Sequence, residues 1–508
     1  MSLAPATRRP RAPLAAGLLT IAASLVVNVT ASGSASLPLG RSLEPDRSAT
    51  GTVSVSVAAA EAYVWGWPLA YVHECKSRLK LVPSAGRSGG MPVAPINEIA
   101  MLTDRIEPRS QVVPCPNQDV LYGFGLFDLA ESSVVLQVPD FGDRFWLYQL
   151  GDQRTDAFAE LGSMYGTRPG CYLVVGPEWK GFTPPGVAGV LRAPTRHAYC
   201  IPRVFFTSAP GDRAAATASV GGVMAYPVDE FTGEPRQRDW TKLRWLPSLS
   251  RFGGSVSPDR FLEILPELLD DVPPMQGEEP LYARFRNLIA AIERDPALAA
   301  EATAAIREAE RDVVAPLFQF RNVGHSLPSG WTTVVNGGAF GTDYLTRTAV
   351  ARSNVFVNRH RETKYFYQDI DAAGTRLHGD RRYVIRFPAG KLPPAAGFWS
   401  LTAYDARHSL PVGSSARHSI GSRDSGLLFD PDGSLTIIVD SASGSEPVHD
   451  TVALNRIVAP PGEFSLYLRL YWPEERALAG LWTPPPVSCT GEPAPAGPGE
   501  SSRIARSP

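Results

Sequence analysis

Cysteine is scarce in this sequence, and its few residues lack the spacing of a metal or redox motif. The chain has 508 residues and five cysteines, which are Cys75, Cys115, Cys171, Cys200 and Cys489. No C-x-x-C pair occurs, which excludes a zinc ribbon and a thioredoxin-type dithiol. The odd count leaves at least one thiol free or paired between chains. Cys171 and Cys200 stand in strand-like runs that a disulfide could join across a sheet; otherwise we expect small buried apolar residues.

Motifs for metals, nucleotides and nucleic acids are also missing. The eight histidines form neither H-x-H nor H-E-x-x-H, so no metal ligand is predicted. There is no P-loop and no dinucleotide fingerprint, and the sequence names no cofactor. The letters GRSGG at 86–90 match G-x-S-x-G but lie in a Gly/Ser/Pro loop, which does not suit a catalytic serine. A formal net charge of −2 without a basic stripe excludes nucleic acid as an expected partner.

Acidic residues are absent before Glu44, and the N-terminus has the pattern of a signal peptide. Three arginines precede an apolar run over 14–27, which ends in small residues. We predict a signal peptide over 1–35 and a linker over 36–55. The apolar run is short for a membrane span, which needs about 20 apolar residues. A retained membrane anchor is the alternative interpretation. The expected location is secreted or in the cell envelope, with the Sec and Tat routes both open. No other segment is long enough to cross a bilayer.

Glycine and proline are abundant, and the apolar pattern changes period along the chain. Short period-two runs separated by turns fill two blocks, while apolar residues recur every three or four positions between them. We predict an N-terminal helix plus β-domain over 56–210, a helical connector over 211–345 and a second β-domain over 346–486. Residues 487–508 have too few apolar side chains to fold and are predicted to be a disordered tail. The fold class is α+β, mainly β, with two antiparallel β-sandwich domains joined by helices.

Several stretches resemble a known pair of families. The stretch VPCPNQDVLYGFGLFDL and the following VVLQVPDFGDRFWLYQLGDQRTDAFAELG resemble the family called domain of unknown function 1254. The stretches GFWSLTAYDARHSLPVG and FSLYLRLYWPEERALAGLWTPPPV resemble its usual C-terminal companion, domain of unknown function 1214. The resemblance covers roughly residues 60–486 and implies two jelly-roll-like β-domains. It implies no established reaction, because the family is named for lacking one.

A polar triplet, Asn117-Gln118-Asp119, stands between a Pro-Cys-Pro corner and an apolar run. One interpretation is structural: Asn117 and Asp119 accept backbone N–H bonds and close a turn before a strand. The other is functional: Asp119 and Tyr122 reach the mouth of a barrel, with Asn117 beside them, and act as acid and base on a polar substrate. Asp119 and Tyr122 are three residues apart, so they share a pocket only if Asp119 is still in the turn.

A second candidate group follows in DRFWLYQLGD. Period-two alternation places Arg144, Trp146 and Tyr148 on one face of a predicted strand. Such a face would suit a pocket that stacks rings and pairs an anion. The alternative is a half-buried face in which Arg144 pairs with a neighbouring aspartate. Asp152 follows at the end of the strand, where loops carry function.

A third candidate pair lies in FGTDYLTRTAVAR. Asp343 and Arg347 have the i,i+4 spacing of neighbours on a helix. They predict either a surface ion pair or a polar rim between the two β-domains, where they would contact a substrate.

Two function classes remain open on these residues. The first is a cofactor-free extracellular hydrolase or lyase acting on a polar small molecule or saccharide. Asp119 or Asp152 would then be the base, Tyr122 or Tyr148 the proton donor, and Arg144 the anchor for a carboxylate. The alternative is a non-catalytic carbohydrate or small-molecule binding protein, and a third reading is a cell-surface interaction module without a deep pocket. A small-molecule or saccharide ligand is the expected partner, and self-association stays open.

Overall fold

The computed structural model describes residues 53–106, 114–207, 209–247, 256–411, 417–424, 426–441 and 455–490. The predicted signal peptide over 1–35 and most of the predicted linker and tail lie outside the described residues. What is described is an α+β structure with mainly sheet content and several antiparallel sheets, as the sequence predicts.

The N-terminal module contains two main sheets and a small third sheet. Its strands are β1 Gly86–Ser88, β2 Met91–Val93, β3 Ile99–Met101, β4 Val120–Asp128, β5 Val134–Val138, β6 Trp146–Asp152, β7 Leu161–Gly162, β8 Gly170–Val175, β9 Val187–Arg192, β10 His197–Phe205, β11 Met224–Pro227 and β12 Arg244–Trp245. The first sheet has the order β3-β4-β10-β6-β7 and the second β11-β5-β8-β9, while β12-β1-β2 forms a small third sheet. Apolar residues of β4, β6 and β10 share one core with those of β5, β8 and β11.

The C-terminal module repeats this plan. Its strands are β13 His325–Ser326, β14 Thr332–Thr333, β15 Thr363–Gln368, β16 Tyr383–Phe387, β17 Ala395–Asp405, β18 Ser419–Gly421, β19 Leu435–Asp440, β20 Arg456–Val458, β21 Phe464–Pro473 and β22 Ser488–Cys489. A six-stranded sheet, β13-β14-β15-β21-β17-β18, packs on the four-stranded sheet β20-β19-β16-β22. Most strand pairs are antiparallel, but β1 with β12, β8 with β9 and β19 with β20 run parallel.

The helices gather around the first of them. They are α1 Val55–Leu79, α2 Asp212–Ser219, α3 Phe261–Asp271, α4 Glu279–Arg294, α5 Pro296–Ala309, α6 Tyr344–Ser353 and α7 Glu475–Leu478. Helix α1 is buried along most of its length, because α3, α4, α5 and α6 all pack against it. Gly66 permits the approach of α3, since a Cβ there would lie 2.7 Å from the ring of Phe261.

Both faces of the central strands are covered, and this positions the site. On β10, Cys200 and Val204 point into the sandwich core, whereas Tyr199 and Ile201 pack against the helices. Arg203, on the same outer face, points toward the C-terminal module, where its guanidinium bonds Asn358. The period-two alternation that defines the strand therefore also separates its core side from its junction side.

Three predicted boundaries differ from those in the structure. Strands β13 and β14 lie within the segment 211–345 predicted as connector, yet β14 pairs with β13 and with β15 of the second module. Strand β11 lies within the segment 211–345 predicted as connector, yet it pairs with β5 in the first module. Strand β22 lies within the predicted tail over 487–508, and it pairs with β16. Pairing partners distant in sequence supply the hydrogen bonds that these short segments cannot make locally. No disulfide joins the five cysteines, all of which lie in the described part of the chain, and Cys171 and Cys200 belong to different sheets.

Candidate functional site

A cavity of about 80 Å³ lies at the junction between the two modules. Its wall is formed by β4 and β10 of the first module, by β15 and β21 of the second, and by the segment after α6. The side chains that matter most to its chemistry are Tyr122, Arg203, Tyr365, Tyr467, Arg469 and Tyr471.

Each module contributes one arginine, and each arginine sits opposite a tyrosine. In the antiparallel register, Arg203 of β10 faces Tyr122 of β4. In the second module, Arg469 of β21 faces Tyr365 of β15. Residues directly opposite on antiparallel strands have their Cβ atoms about 5 Å apart and interact. The two sheets thus bring two Arg–Tyr pairs to one cavity.

The guanidinium of Arg203 is buried and has only neutral partners among the described residues. Its side chain donates to Gln149 Oε1 at 2.7 Å and to Asn358 Oδ1 at 2.6 Å, while its Nε has no hydrogen-bond partner. Burial acts to lower the pKa of Arg203, but the hydroxyls of Tyr122, Tyr471 and Tyr365 outweigh it and raise that pKa. Arg203 therefore stays positively charged.

Arg469 is in the same condition. It donates to the backbone oxygen of Cys115 at 2.8 Å, and its second terminal nitrogen has no partner. The guanidinium lies 3.8 Å from the ring centroid of Tyr467, in cation–π geometry. Within the described part of the chain, no carboxylate lies within ion-pair distance of Arg203 or Arg469. Arg203 and Arg469, 4% and 3% exposed, therefore share a cavity whose described lining contains no carboxylate. The nearby buried carboxyl of Glu362 interacts with Arg203 only through its electrostatic field.

The tyrosines add hydrogen-bond donors to this positive cavity. Burial raises the pKa of Tyr471 well above its usual range, so its hydroxyl keeps the proton. Asn117 donates its amide to the Tyr471 oxygen at 2.7 Å, which fixes that hydroxyl in place. Tyr122 is half-buried, with its ring centroid 5.4 Å from the Arg203 guanidinium. Phe124, Ile201 and other apolar side chains complete the wall.

The polar triplet that the sequence singles out divides between two roles. Asn117 closes the predicted turn, because its Oδ1 accepts from the Asp119 backbone N–H at 2.7 Å. Asp119 is fully buried and forms an ion pair with Arg423 of the second module at 2.9 Å. Of the predicted catalytic residues, Tyr122 lines the cavity and Asp119 does not.

The predicted Arg-Trp-Tyr face is split by the fold. Trp146 and Tyr148 point inward and belong to the core of the first sandwich. The Tyr148 hydroxyl donates to the backbone oxygen of Gln137 at 3.3 Å. Arg144 precedes the strand and pairs at 2.7 Å with Asp212, a residue distant in sequence, rather than with a neighbouring aspartate. Only Arg144 of this group reaches an open surface.

Asp152 is buried at the end of β6, away from the cavity. Its Oδ1 accepts from the Asp156 N–H at 3.0 Å, and Arg154 lies 3.4 Å from its Oδ2. Burial, together with the charge of Asp156, raises the pKa of Asp152 to about 7. Arg347 is near enough to oppose this rise electrostatically.

Asp343 and Arg347 form neither the surface ion pair nor a shared rim. Asp343 caps α6 by accepting from the Thr346 N–H at 3.2 Å. Arg347 is fully buried and donates to the backbone oxygen of Trp65 at 2.8 Å. Arg347 thus holds α6 against α1, Asp343 caps α6, and neither residue lines the cavity.

Neither cavity arginine is among the residues predicted from the sequence, although a local pattern around Arg469 indicates a polar strand face. Tyr467-Leu-Arg469-Leu-Tyr471 alternates polar and apolar residues within a strand that is otherwise apolar. This places one arginine between two tyrosines on a single face. Arg203 carries no such local signal, because its neighbours at 201 and 205 are apolar.

One group of side chains has the composition of a metal site but not the charge balance. His73, Glu267 and Asp271 offer ligand atoms within 4.8 Å of one another. The ammonium of Lys76 lies 2.8 Å from Glu267 and 3.7 Å from Asp271. Lys76 thus already occupies the position of a cation, and the group does not fit a metal ion.

Comparison with known proteins places the cavity between two family segments. The model of the family described as "Protein of unknown function (DUF1254)" matches residues 96–227. The model of the family described as "Protein of unknown function (DUF1214)" matches residues 362–475. The chain combines both modules. The DUF1254 segment supplies Tyr122 and Arg203, and the DUF1214 segment supplies Tyr365 and Arg469.

Similar folds occur among solved structures. The VPA0106 protein from Vibrio parahaemolyticus matches at 19% identity and a TM-score of 0.60, covering 86% of this chain and 100% of its own. An uncharacterised protein from Burkholderia cenocepacia matches at 11% identity and a TM-score of 0.41, covering 94% and 96% of the two chains. A search of curated proteins gives no match. Within the described residues, each helix is too short or too polar to cross a bilayer.

Proposed function

We propose that this chain is an exported binding protein that encloses a small organic anion between its DUF1254 and DUF1214 modules. The observation that carries the proposal is the pair of buried guanidiniums, Arg203 and Arg469, which share one cavity without a carboxylate among the described residues. A buried charge without a partner costs several kcal/mol, and a bound anion removes this cost. Two arginines with partnerless nitrogens suit a carboxylate, which accepts several charge-assisted hydrogen bonds at once.

The wall of the cavity defines the rest of the ligand. The Tyr471 hydroxyl, held by Asn117, donates toward the anionic group. The apolar side chains of Phe124, Ile201 and Phe356 cover the opposite end. The volume of about 80 Å³ limits the ligand to a small acid. We therefore propose a monocarboxylate with a short aliphatic or single-ring body.

A catalytic role is the second candidate, and Tyr122 is the observation that favours it. Its half-buried hydroxyl faces Arg203, so it could pass a proton to or from a bound substrate in a hydrolase or lyase. The described lining residues include no Asp, Glu or His, so a carboxylate base would have to come from elsewhere. This deficit makes binding the better-supported function.

Export and the finer architecture belong to the same proposal. The arginines and the apolar run before residue 28 support an exported protein that is secreted or held in the cell envelope. In each module, two mainly antiparallel sheets share one core, which supports the jelly-roll-like form implied by the family resemblance. Self-association is left to measurement.

Calorimetry of the mature protein tests the binding function. Butyrate and benzoate should bind, whereas the neutral butyramide and benzamide should not, because only the acids neutralise the cavity. Arg469→Met should weaken binding of the acids about 100-fold, since it removes one member of a buried charge pair. Arg286→Met, on the exposed side of α4, is the matched control and should bind normally.

The opposite pattern would contradict the proposal. Amides that bind as tightly as acids, or an Arg469→Met variant with normal affinity, would show that the arginines do not hold the ligand. For the catalytic candidate, turnover of an ester or uronate substrate that is lost in Tyr122→Phe with unchanged affinity would establish chemistry. A Tyr122→Phe variant that alters only affinity would exclude it.

A further inference from the structure

A second, open depression lies on the same junction, outside the cavity. This groove has a volume of about 670 Å³, within the roughly 300–1,000 Å³ typical of small-molecule sites. One wall comes from the first module and carries Arg144, Phe145 and Asp212. The other comes from the second module and carries Gly397 and Trp472. It contains aromatic rings, one ion pair and the hydroxyls of Ser163 and Thr207.

Trp472 is exposed in this groove, and the backbone is distorted to present it. The residue is 38% exposed near the end of β21, while Tyr471 and Pro473 on either side are buried. Its φ is +51°, and its N–H donates to the Glu362 carbonyl at 2.8 Å. A non-glycine residue in this left-handed region costs on the order of 1–2 kcal/mol. Strain of this kind concentrates at binding and catalytic sites.

The neighbouring strand is also irregular where Trp472 emerges. The register of β17 against β21 shifts between Ala395 and Phe398, which forms a bulge. Gly397 lies within it, and a Cβ there would stand 2.8 Å from the Tyr471 carbonyl and 3.2 Å from the ring of Phe145. Residue 397 therefore has no room for a side chain where the bulge packs against β21 and Phe145. Bulges commonly redirect side chains next to functional sites.

The groove contains one fixed ion pair and one further carboxylate, the exposed Asp143. Arg144 bonds Asp212 Oδ1 at 2.7 Å and the Phe205 carbonyl at 2.8 Å. The other oxygen of Asp212 accepts from the backbone N–H of Thr207 at 2.6 Å and from its hydroxyl at 2.9 Å. The bond from Arg144 lowers the pKa of Asp212 to about 2, so the pair stays ionised. The pair is neutral as a whole and offers a donor beside an acceptor.

We propose that this groove binds a neutral saccharide, with one sugar ring stacked on Trp472 and its hydroxyls bonded to Arg144 and Asp212. A pyranose ring has an apolar C–H face that packs on an aromatic ring. Its adjacent hydroxyls each need a donor and an acceptor, which a planar ion pair supplies side by side. An organic anion is not favoured here, because Asp212 already neutralises Arg144 and Asp143 adds a negative charge to the lining. The groove is open along the junction, which suits an oligosaccharide rather than a free monosaccharide.

Titration calorimetry with defined oligosaccharides tests this site. The probes are cellohexaose, maltohexaose, xylohexaose and mannohexaose, together with hexagalacturonate as the acidic comparison. At least one neutral probe should bind, and Trp472→Ala should weaken it by about tenfold, the equivalent of one lost aromatic contact. Trp472→Tyr, which keeps an aromatic face, should stay within about threefold of the parent.

Trp245 provides the matched control, because it is 62% exposed on β12 and does not line the groove. Trp245→Ala should bind the same probe with unchanged affinity. Far-UV circular dichroism and the melting temperature establish that each variant is folded, and Trp472→Tyr carries the comparison if the alanine variant is not. The proposal is overturned if no neutral probe binds, if Trp472→Ala binds normally, or if hexagalacturonate binds more tightly than every neutral probe.

Discussion

The cavity and the groove lie on one junction, and both contain arginine. The arginines differ in whether a carboxylate is paired with them. In the cavity, Arg203 and Arg469 are buried and have only neutral partners among the described residues. In the groove, Arg144 has Asp212 at 2.7 Å. A buried charge without a counter-charge costs several kcal/mol. A partly exposed charge that has a counter-charge costs little. The charge balance, rather than the residue type, distinguishes an anion site from a neutral one.

The largest expected effect comes from a fourth arginine of the junction, Arg423, which is buried and paired with Asp119. Arg423→Met should destabilise the protein by about 3–5 kcal/mol, because it leaves the Asp119 carboxylate buried without its partner. Arg469→Met should change the ligand-free stability much less, because its partners are neutral, the Cys115 carbonyl and the Tyr467 ring, and no buried carboxylate is left behind. Urea denaturation of both variants measures the difference. Equal losses of stability would break the comparison.

The pH dependence of binding should differ between the two sites. A carboxylate ligand has a pKa of about 4, so cavity binding should be constant from pH 6 to 9 and fall about tenfold by pH 3. Arg203 does not contribute to this fall, because its pKa is raised and it stays charged.

In the groove, Asp212 has its pKa lowered to about 2, so its favourable pairing is present at neutral pH and is lost only as the pH falls through that value. Oligosaccharide affinity should therefore stay constant from pH 4 to 9. Calorimetry at four pH values with butyrate and the best neutral oligosaccharide measures both profiles. A fall in saccharide affinity near pH 5 would assign the interaction to another titrating group.

The smallest expected effect is a partial conversion of the groove into an anion site. Asp212→Asn removes the counter-charge of Arg144 and keeps the shape of the side chain. Affinity for hexagalacturonate should rise by a few-fold, because Arg144 is partly exposed and solvent screens its charge. Binding of butyrate in the cavity should not change. An Asp212→Asn variant with no gain for the acidic probe would show that charge balance does not set the preference of the groove.

Much of the fold could be predicted from local pattern. The runs that become β5, β8, β16 and β21 alternate or are continuously apolar, and the helices α3 to α5 have clear three-to-four spacing. The family resemblance is confirmed by the DUF1254 and DUF1214 matches. The short strands β11 and β22 could not be found in this way. Their pairing partners lie far along the chain, and three or four residues carry little periodicity.

The candidate site was harder to predict, because a strand face with polar and aromatic side chains can line a binding site or be buried in a core. Period-two alternation predicts that Trp146 and Tyr148 share one face of the strand, and they do. Alternation alone does not indicate whether that face is buried, and both rings lie in the core. Tyr122 and Asn117 were singled out from one stretch, and both reach the cavity region. Arg203 and Arg469 become neighbours only when two separate sandwiches meet, which single-strand patterns do not encode.

The division of the cavity between two sandwiches also bears on how this protein could have arisen. Under the proposed binding function, each module supplies one of the two arginines that hold the anion, Arg203 from the first and Arg469 from the second. Carrying both on one polypeptide guarantees that the modules are synthesised in equal number and meet in every copy. Selection for ligand binding would therefore act on both modules together. This gives a physical reason for the two modules to stay on one chain.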